Sequence, residues 1–210
     1  MKRTAPWIVA VIAFIAFAAS FSELQRMRGR FGEVTRHQVN HHAYYREFVI
    51  RSELADVQNP ILVVGDSIVE RAEFPAQIGG RSVVNAGISG SKIEDFYEIA
   101  PALIGARPSF VVIVLGTNNT AESIRATYPI LLRQLKAAYP NMLAVGVTPQ
   151  LDADAKNAAI KTVATNEGIR FFEVSLPNGS TLPDHIHLNA DGYRSWTPAI
   201  VAAISERIGD

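Results

Sequence analysis

Ile61-Leu62-Val63-Val64-Gly65-Asp66-Ser67-Ile68 decides the fold of this chain of 210 residues. Four apolar residues in a row, followed at once by Gly-Asp, have the pattern of a short strand buried on both faces and ended by a turn. Such a strand belongs in a parallel sheet with helices on either side. The residues downstream repeat the theme. Strands are predicted at 82–85, 110–115, 143–147 and 170–174, and helices at 93–105, 122–139, 154–167 and 191–208. The run Phe-Val-Val-Ile-Val-Leu at 110–115 is the clearest central strand, Pro129 predicts a kink or restart in its helix, and 176–187 reads as loop. Five strands alternating with helices imply an α/β fold with a five-stranded parallel sheet covered on both faces. Ligands bind such sheets beyond the C-terminal strand ends. Ser67, Gly90 and Asn118 all fall just after strands, so they converge on that edge.

Composition narrows the function classes. The formal net charge is zero. Residues 1–58 carry eight Lys/Arg against five Asp/Glu, an excess of +3, which leaves −3 for the remainder. No basic stripe is interleaved with aromatics, so a nucleic-acid groove is not expected. Cysteine is absent, which rules out disulfides, cysteine nucleophiles and thiolate metal sites.

The chain divides by pattern into 1–21, 22–58 and 59–210. Lys2 and Arg3 precede an uncharged stretch at 5–21. As a helix it would span about 25 Å, slightly less than the hydrocarbon core of a bilayer. Two readings stay open: a signal peptide cleaved after the small-x-small pattern Ala16-Phe17-Ala18, and an uncleaved membrane anchor, the preferred one. Lys2 and Arg3 favour an inside N-terminus while Arg26, Arg28 and Arg30 oppose it. Export of the C-terminal domain is the expectation: membrane-anchored and extracytoplasmic, or secreted if the N-terminus is cleaved. Residues 22–58 are polar and free of proline, and read as one or two juxtamembrane helices. His37, His41 and His42 lie there, and a solvated helix face is the reading preferred to a metal site. Asn59-Pro60 marks the start of the α/β domain.

The chemistry lies in two short motifs. A serine hydroxyl is a poor nucleophile until a base takes its proton. His187 is the natural base for Ser67, and Asp184, three residues earlier, can hold the other ring nitrogen. Asp-x-x-His alone describes a capping Asp and a surface His equally well; paired with Gly-Asp-Ser after a buried strand it points to a triad. Acyl transfer also needs donors for the developing oxyanion. The Ser67 N–H is one candidate. Asn85-Ala-Gly87-Ile-Ser-Gly90 follows the second strand, and Gly116-Thr-Asn118-Asn119 follows the third, where the Asn118 amide supplies another. Each of these stretches, taken singly, is also ordinary strand-to-loop chemistry. No serine sits in Gly-x-Ser-x-Gly, no phosphate-binding Gly-rich loop is present, and Ser-x-x-Lys at 89–92 lacks its companion motifs. His185 and His187 could pair on a metal, but His185 is expected to point away. Tyr193 and Trp196 are assigned to core packing of the last helix before any role at the site mouth.

In this order the blocks resemble the SGNH hydrolases, the GDSL-type esterase/lipase family, over roughly 61–196. The resemblance maps the nucleophile block onto Gly65-Asp66-Ser67, the oxyanion glycine onto Gly90, the oxyanion asparagine onto Asn118, and the acid and base onto Asp184 and His187. It implies a three-layer α/β/α flavodoxin-like fold and metal-independent ester hydrolysis through an acyl-serine, with no cofactor. One position departs: the family often has Asp after the third-block Asn, where this chain has Asn119, which puts a supporting hydrogen bond in question. The functional expectation is a serine esterase for short acyl or acetyl esters, on a small-molecule or glycan-borne substrate, with the membrane as partner through residues 5–21. The alternatives are a membrane-tethered O-acyltransferase for surface glycans and a non-catalytic binding domain on the same fold.

Overall fold

The computed structural model describes residues 6–139 and 141–208, and the side chains of 6, 8–9 and 31–40 are outside that description. Lys2, Arg3 and the side chain of His37 therefore lie outside the described residues. The chain divides into two compact units, Met1–His41 and His42–Asp210. The first contains the leading part of helix α1 (Pro6–Ala55), one continuous helix where one or two were expected beyond residue 22. Its segment Ala10–Arg30 is exposed, and is long and apolar enough to cross a membrane.

The second unit contains the end of α1, then β1 (Ile61–Gly65), α2 (Ser67–Glu70), β2 (Gln77–Ile78), β3 (Arg81–Gly87), α3 (Phe96–Gly105), β4 (Phe110–Val114), α4 (Ala121–Lys136), β5 (Met142–Val145), α5 (Ala153–Asn166), β6 (Arg170–Phe172) and α6 (Ala190–Ile208). The sheet order is β2-β3-β1-β4-β5-β6. All pairings are parallel except β2 with β3. The five parallel strands thus follow the flavodoxin-like order. The sheet is mixed, however, not purely parallel as expected. The short antiparallel β2 escapes sequence reading because two residues carry no periodicity.

Strand pleating sends alternate residues to opposite faces. Leu62, Val64, Val111 and Ile113 face α3, α4 and α5, a layer joined by Ile50 and Leu54 from α1. Ile61, Val63, Val112 and Val114 face α2 and α6, where Trp196, Ile200 and Ile204 are buried. This completes the three-layer α/β/α arrangement. The compact unit therefore starts well before Asn59-Pro60: burial of Ile50 and Leu54 contributes roughly 1.5–3 kcal/mol for each side chain.

Two local expectations change. Pro129 does not restart the helix, since α4 runs through it with Thr120 capping the first turn and Ile124, Tyr128, Leu131, Leu132 and Leu135 buried on both sides of the proline. Helix α3 begins at Phe96 instead of residue 93, since the Asp95 carboxylate accepts the Lys92 N–H at 2.7 Å and holds the preceding residues in a turn.

Candidate functional site

Ser67 is the first residue of α2, directly beyond β1. The Asp66 carboxylate accepts the Ile68 N–H at 3.0 Å and caps that helix. Asp66 is fully buried, and burial pushes its carboxyl above the usual carboxylate range. Helix α2 presses against the end of β3 so closely that a Cβ on Gly87 would lie 2.2 Å from the Glu70 nitrogen, so only glycine fits there.

His187 reaches the same place from the loop ahead of α6. Its Nε2 lies 3.0 Å from Ser67 Oγ and its Nδ1 lies 2.6 Å from Asp184 Oδ2. The Asp184 Oδ1 accepts the N–H groups of Ile186 and His187, both at 3.0 Å. The hydrogen bond from His187, helped by those two amides, holds the Asp184 carboxyl well below its usual range, so it stays an acceptor at neutral pH. Nδ1–H then donates to Asp184, and Nε2 is left to accept the Ser67 hydroxyl proton. The loop is pinned by Thr148 Oγ1 donating to the Ile186 carbonyl at 3.1 Å, and by the Leu182 N–H donating to the His187 carbonyl at 2.7 Å. His185 is exposed with φ of 56° and makes no side-chain bond to Ser67, Asp184 or His187. Trp196 is buried in the core, and the half-buried Tyr193 donates its hydroxyl to the Ile68 carbonyl at 3.0 Å, within the turn that starts at Ser67.

The remaining predicted residues occupy the loops after β3 and β4. Gly90 is exposed with φ of 79°, a left-handed conformation that favours glycine. Asn118 is exposed too, and its Nδ2 donates to the Ser91 carbonyl at 2.9 Å. That bond joins the two loops and uses one of the two amide hydrogens. Asn119 is buried. Its Oδ1 accepts the Ile93 N–H at 3.1 Å, and its Nδ2 donates to Glu94 Oε2 at 2.8 Å and Ser123 Oγ at 3.0 Å. The bond in question is therefore replaced by three, two of which an Asp could not donate.

Several supporting residues escape the sequence. Lys156 is buried, donates to the Thr117 carbonyl at 2.8 Å and pairs with Asp152 at 3.1 Å, fixing the backbone just ahead of Asn118. Glu70 Oε2 accepts the Ser89 N–H at 2.5 Å, next to Gly90. A lysine or glutamate in a helical pattern reads as solvated, so no sequence signal marks them. Among the described residues no group of three or more His, Cys, Asp or Glu is arranged to hold a metal ion. The arrangement has the parts for acyl transfer: a hydroxyl, a base bonded to it, a carboxylate orienting that base, and amide donors on neighbouring loops.

The GDSL-like Lipase/Acylhydrolase family matches residues 63–195. No curated protein sequence matches the chain. Among solved structures, a protein of Streptococcus pneumonia is similar with a TM-score of 0.69 at 17% identity, covering 82% of this chain and 97% of its own. A GDSL-like lipase of Bacteroides thetaiotaomicron aligns with a TM-score of 0.61 at 20% identity, covering 76% and 97%. An acetylxylan esterase of Geobacillus stearothermophilus, in a catalytic mutant, gives 0.59 at 16% identity, covering 70% and 94%. At these identities each likeness is one of fold.

Proposed function

The chain belongs to the GDSL-like Lipase/Acylhydrolase family, and from that premise we propose that it is a serine-dependent carboxylic-ester hydrolase. The observation that carries the reading is the continuous chain Ser67 Oγ to His187 Nε2 at 3.0 Å and His187 Nδ1 to Asp184 Oδ2 at 2.6 Å. Ser67 Oγ attacks the ester carbonyl carbon while His187 Nε2 takes its proton. The Ser67 N–H, the Gly90 N–H and the free hydrogen of the Asn118 amide stabilise the oxyanion. Collapse of the tetrahedral intermediate expels the alcohol, which leaves with the proton from His187. Water then attacks the acyl-serine by the same route, releasing the carboxylic acid and restoring Ser67. Asp184 keeps the imidazole in the required tautomer throughout. Neither a metal nor a cofactor takes part in these steps.

Short acyl or acetyl esters are the substrates this reading favours. Between Asn118 and Asp184 the described residues make α4, β5, α5, β6 and connecting loops, with no inserted helix or strand among them to fold over the site. The exposed apolar segment Ala10–Arg30 supports membrane anchoring with the catalytic unit exported, or secretion if the N-terminus is cleaved. It also favours a second reading, transfer of the acyl group to a cell-surface glycan hydroxyl instead of water.

The test is hydrolysis of p-nitrophenyl acetate by the full chain in detergent, beside Ser67→Ala with its folding checked. Turnover should fall on the order of 10⁶ in the variant. A folded wild type that neither hydrolyses the ester nor reacts with a fluorophosphonate would sink the serine-esterase reading. Product analysis with a glycan acceptor separates hydrolysis from transfer, since free acid as the sole product excludes transfer.

A further inference from the structure

Positions 42, 46, 50 and 54 form one stripe along the last turns of α1, spaced by four residues. The lower half of the stripe, Ile50 and Leu54, is core. The upper half is polar and bonds to the backbone that carries the proposed site. Arg46 Nε donates to the Gly87 carbonyl at 3.1 Å and its Nη2 to the Asn85 carbonyl at 3.0 Å. Those carbonyls belong to the stretch of β3 beyond Arg81 and Ser82, the two residues that β2 pairs with. His42 Nε2 lies 2.8 Å and 3.0 Å from the two Glu70 carboxylate oxygens. Glu70 in turn accepts the Ser89 N–H at 2.5 Å.

These contacts touch both halves of the site at once. Glu70 closes the one-turn helix that Ser67 opens. Ser89 immediately precedes Gly90, and Gly87 is the last residue of β3 before the same loop. Burial alone would push the Glu70 carboxyl up, but the bonds from His42 and Ser89 outweigh it and hold it below its ordinary value, so it is an anion able to bind both. A helix that merely covered the sheet would need Ile50 and Leu54 only. The bonds that Arg46 makes to the end of β3 and that His42 makes to Glu70 of the Ser67 helix are more than covering requires.

We propose that Glu70, held by His42, and Arg46 are positioning residues that fix the Gly90 loop against Ser67, making the end of α1 part of the catalytic apparatus. The proposal rests on the serine-esterase reading. Oxyanion donors stabilise charge only where they are pre-aimed, so a loop released by a fraction of an ångström loses rate without losing substrate binding.

The test compares kinetics and thermal melting of the full chain in detergent for wild type, Glu70→Ala, Glu70→Gln, Arg46→Ala and His42→Ala, with p-nitrophenyl acetate. Glu70→Ala and Arg46→Ala should each lower kcat about tenfold with KM within about twofold, the signature of a transition-state interaction. Glu70→Gln should recover most of the loss, because its amide oxygen still accepts the Ser89 N–H. His42→Ala changes an exposed side chain, and it should lower kcat by about threefold, so it carries the test if Arg46→Ala fails to fold. Unchanged kcat in the folded variants overturns the proposal, as does a loss that appears in KM, or one that Glu70→Gln does not recover. In those cases the active wild type leaves the serine-esterase reading standing. A wild type without hydrolysis or fluorophosphonate labelling removes both.

Discussion

The two sides of the proposed site are held in opposite ways. On the proton-transfer side, Ser67, His187 and Asp184 bond directly to one another, and Asp184 is further fixed by amides within its own four-residue loop. On the oxyanion side, Gly90 and Asn118 are exposed, and their loops are held by long-range bonds: Asn118 to Ser91, Asn119 to Ile93, and those of Lys156, Glu70 and Arg46. The first side is assembled by local geometry, the long-range meeting of Ser67 with His187 and the Thr148 bond that pins the loop at Ile186. The second exists only because several loops are strapped in place. Damage to the first should therefore be large and confined to a few residues. Damage to the second should be smaller and spread over many.

The largest effect that tests this contrast is Asp184→Asn. It preserves shape but favours the wrong imidazole tautomer, and kcat should fall by about 10⁴ with the fold intact. Steady-state kinetics on the folded variant measures it, and a loss smaller than that of any oxyanion-side variant would reverse the comparison. Asn118→Ala comes next, with an expected loss of about 10²–10³ in kcat. Unchanged turnover there would remove Asn118 from the mechanism and leave the Ser67 and Gly90 amides as the donors. The smallest effect is expected from Asn119→Asp. It places a carboxylate against Glu94, gives up the bond donated to Glu94 and obliges Ser123 to turn from acceptor to donor. Thermal denaturation should show a cost of about 1–3 kcal/mol, with kcat lowered by no more than about tenfold. A variant as stable and active as wild type would mean that the Asn119 network is not one of the straps.

The same division explains how much was readable beforehand. The strand at 61–64, the Gly-Asp-Ser turn and the Asp-x-x-His pair are local patterns, each decided within a few residues. The continuity of α4 through Pro129 was not, because residues on both sides of the proline are anchored in the core, and the start of α3 at Phe96 hung on one side-chain bond, Asp95 to the Lys92 N–H. Asn59-Pro60 is a genuine break in helical pattern, while the compact unit runs from His42, with Ile50 and Leu54 packed in the layer of α3, α4 and α5.

By itself, then, the sequence determined the α/β class, the buried parallel strands, the placement of Ser67, Gly90 and Asn118 beyond strand ends, and the Asp184–His187 spacing that lets one loop orient its own base. Hydrophobic periodicity and short-range geometry suffice for all of these. Only the tertiary structure decided that β2 makes the sheet mixed, that Lys156 is buried under Thr117, and that Arg46 and Glu70 tie α1 to the loop of Gly90. A charged residue on a helix carries the same local signature whether it faces water or a carbonyl 39 to 41 residues away. Which it meets is set by how the layers pack.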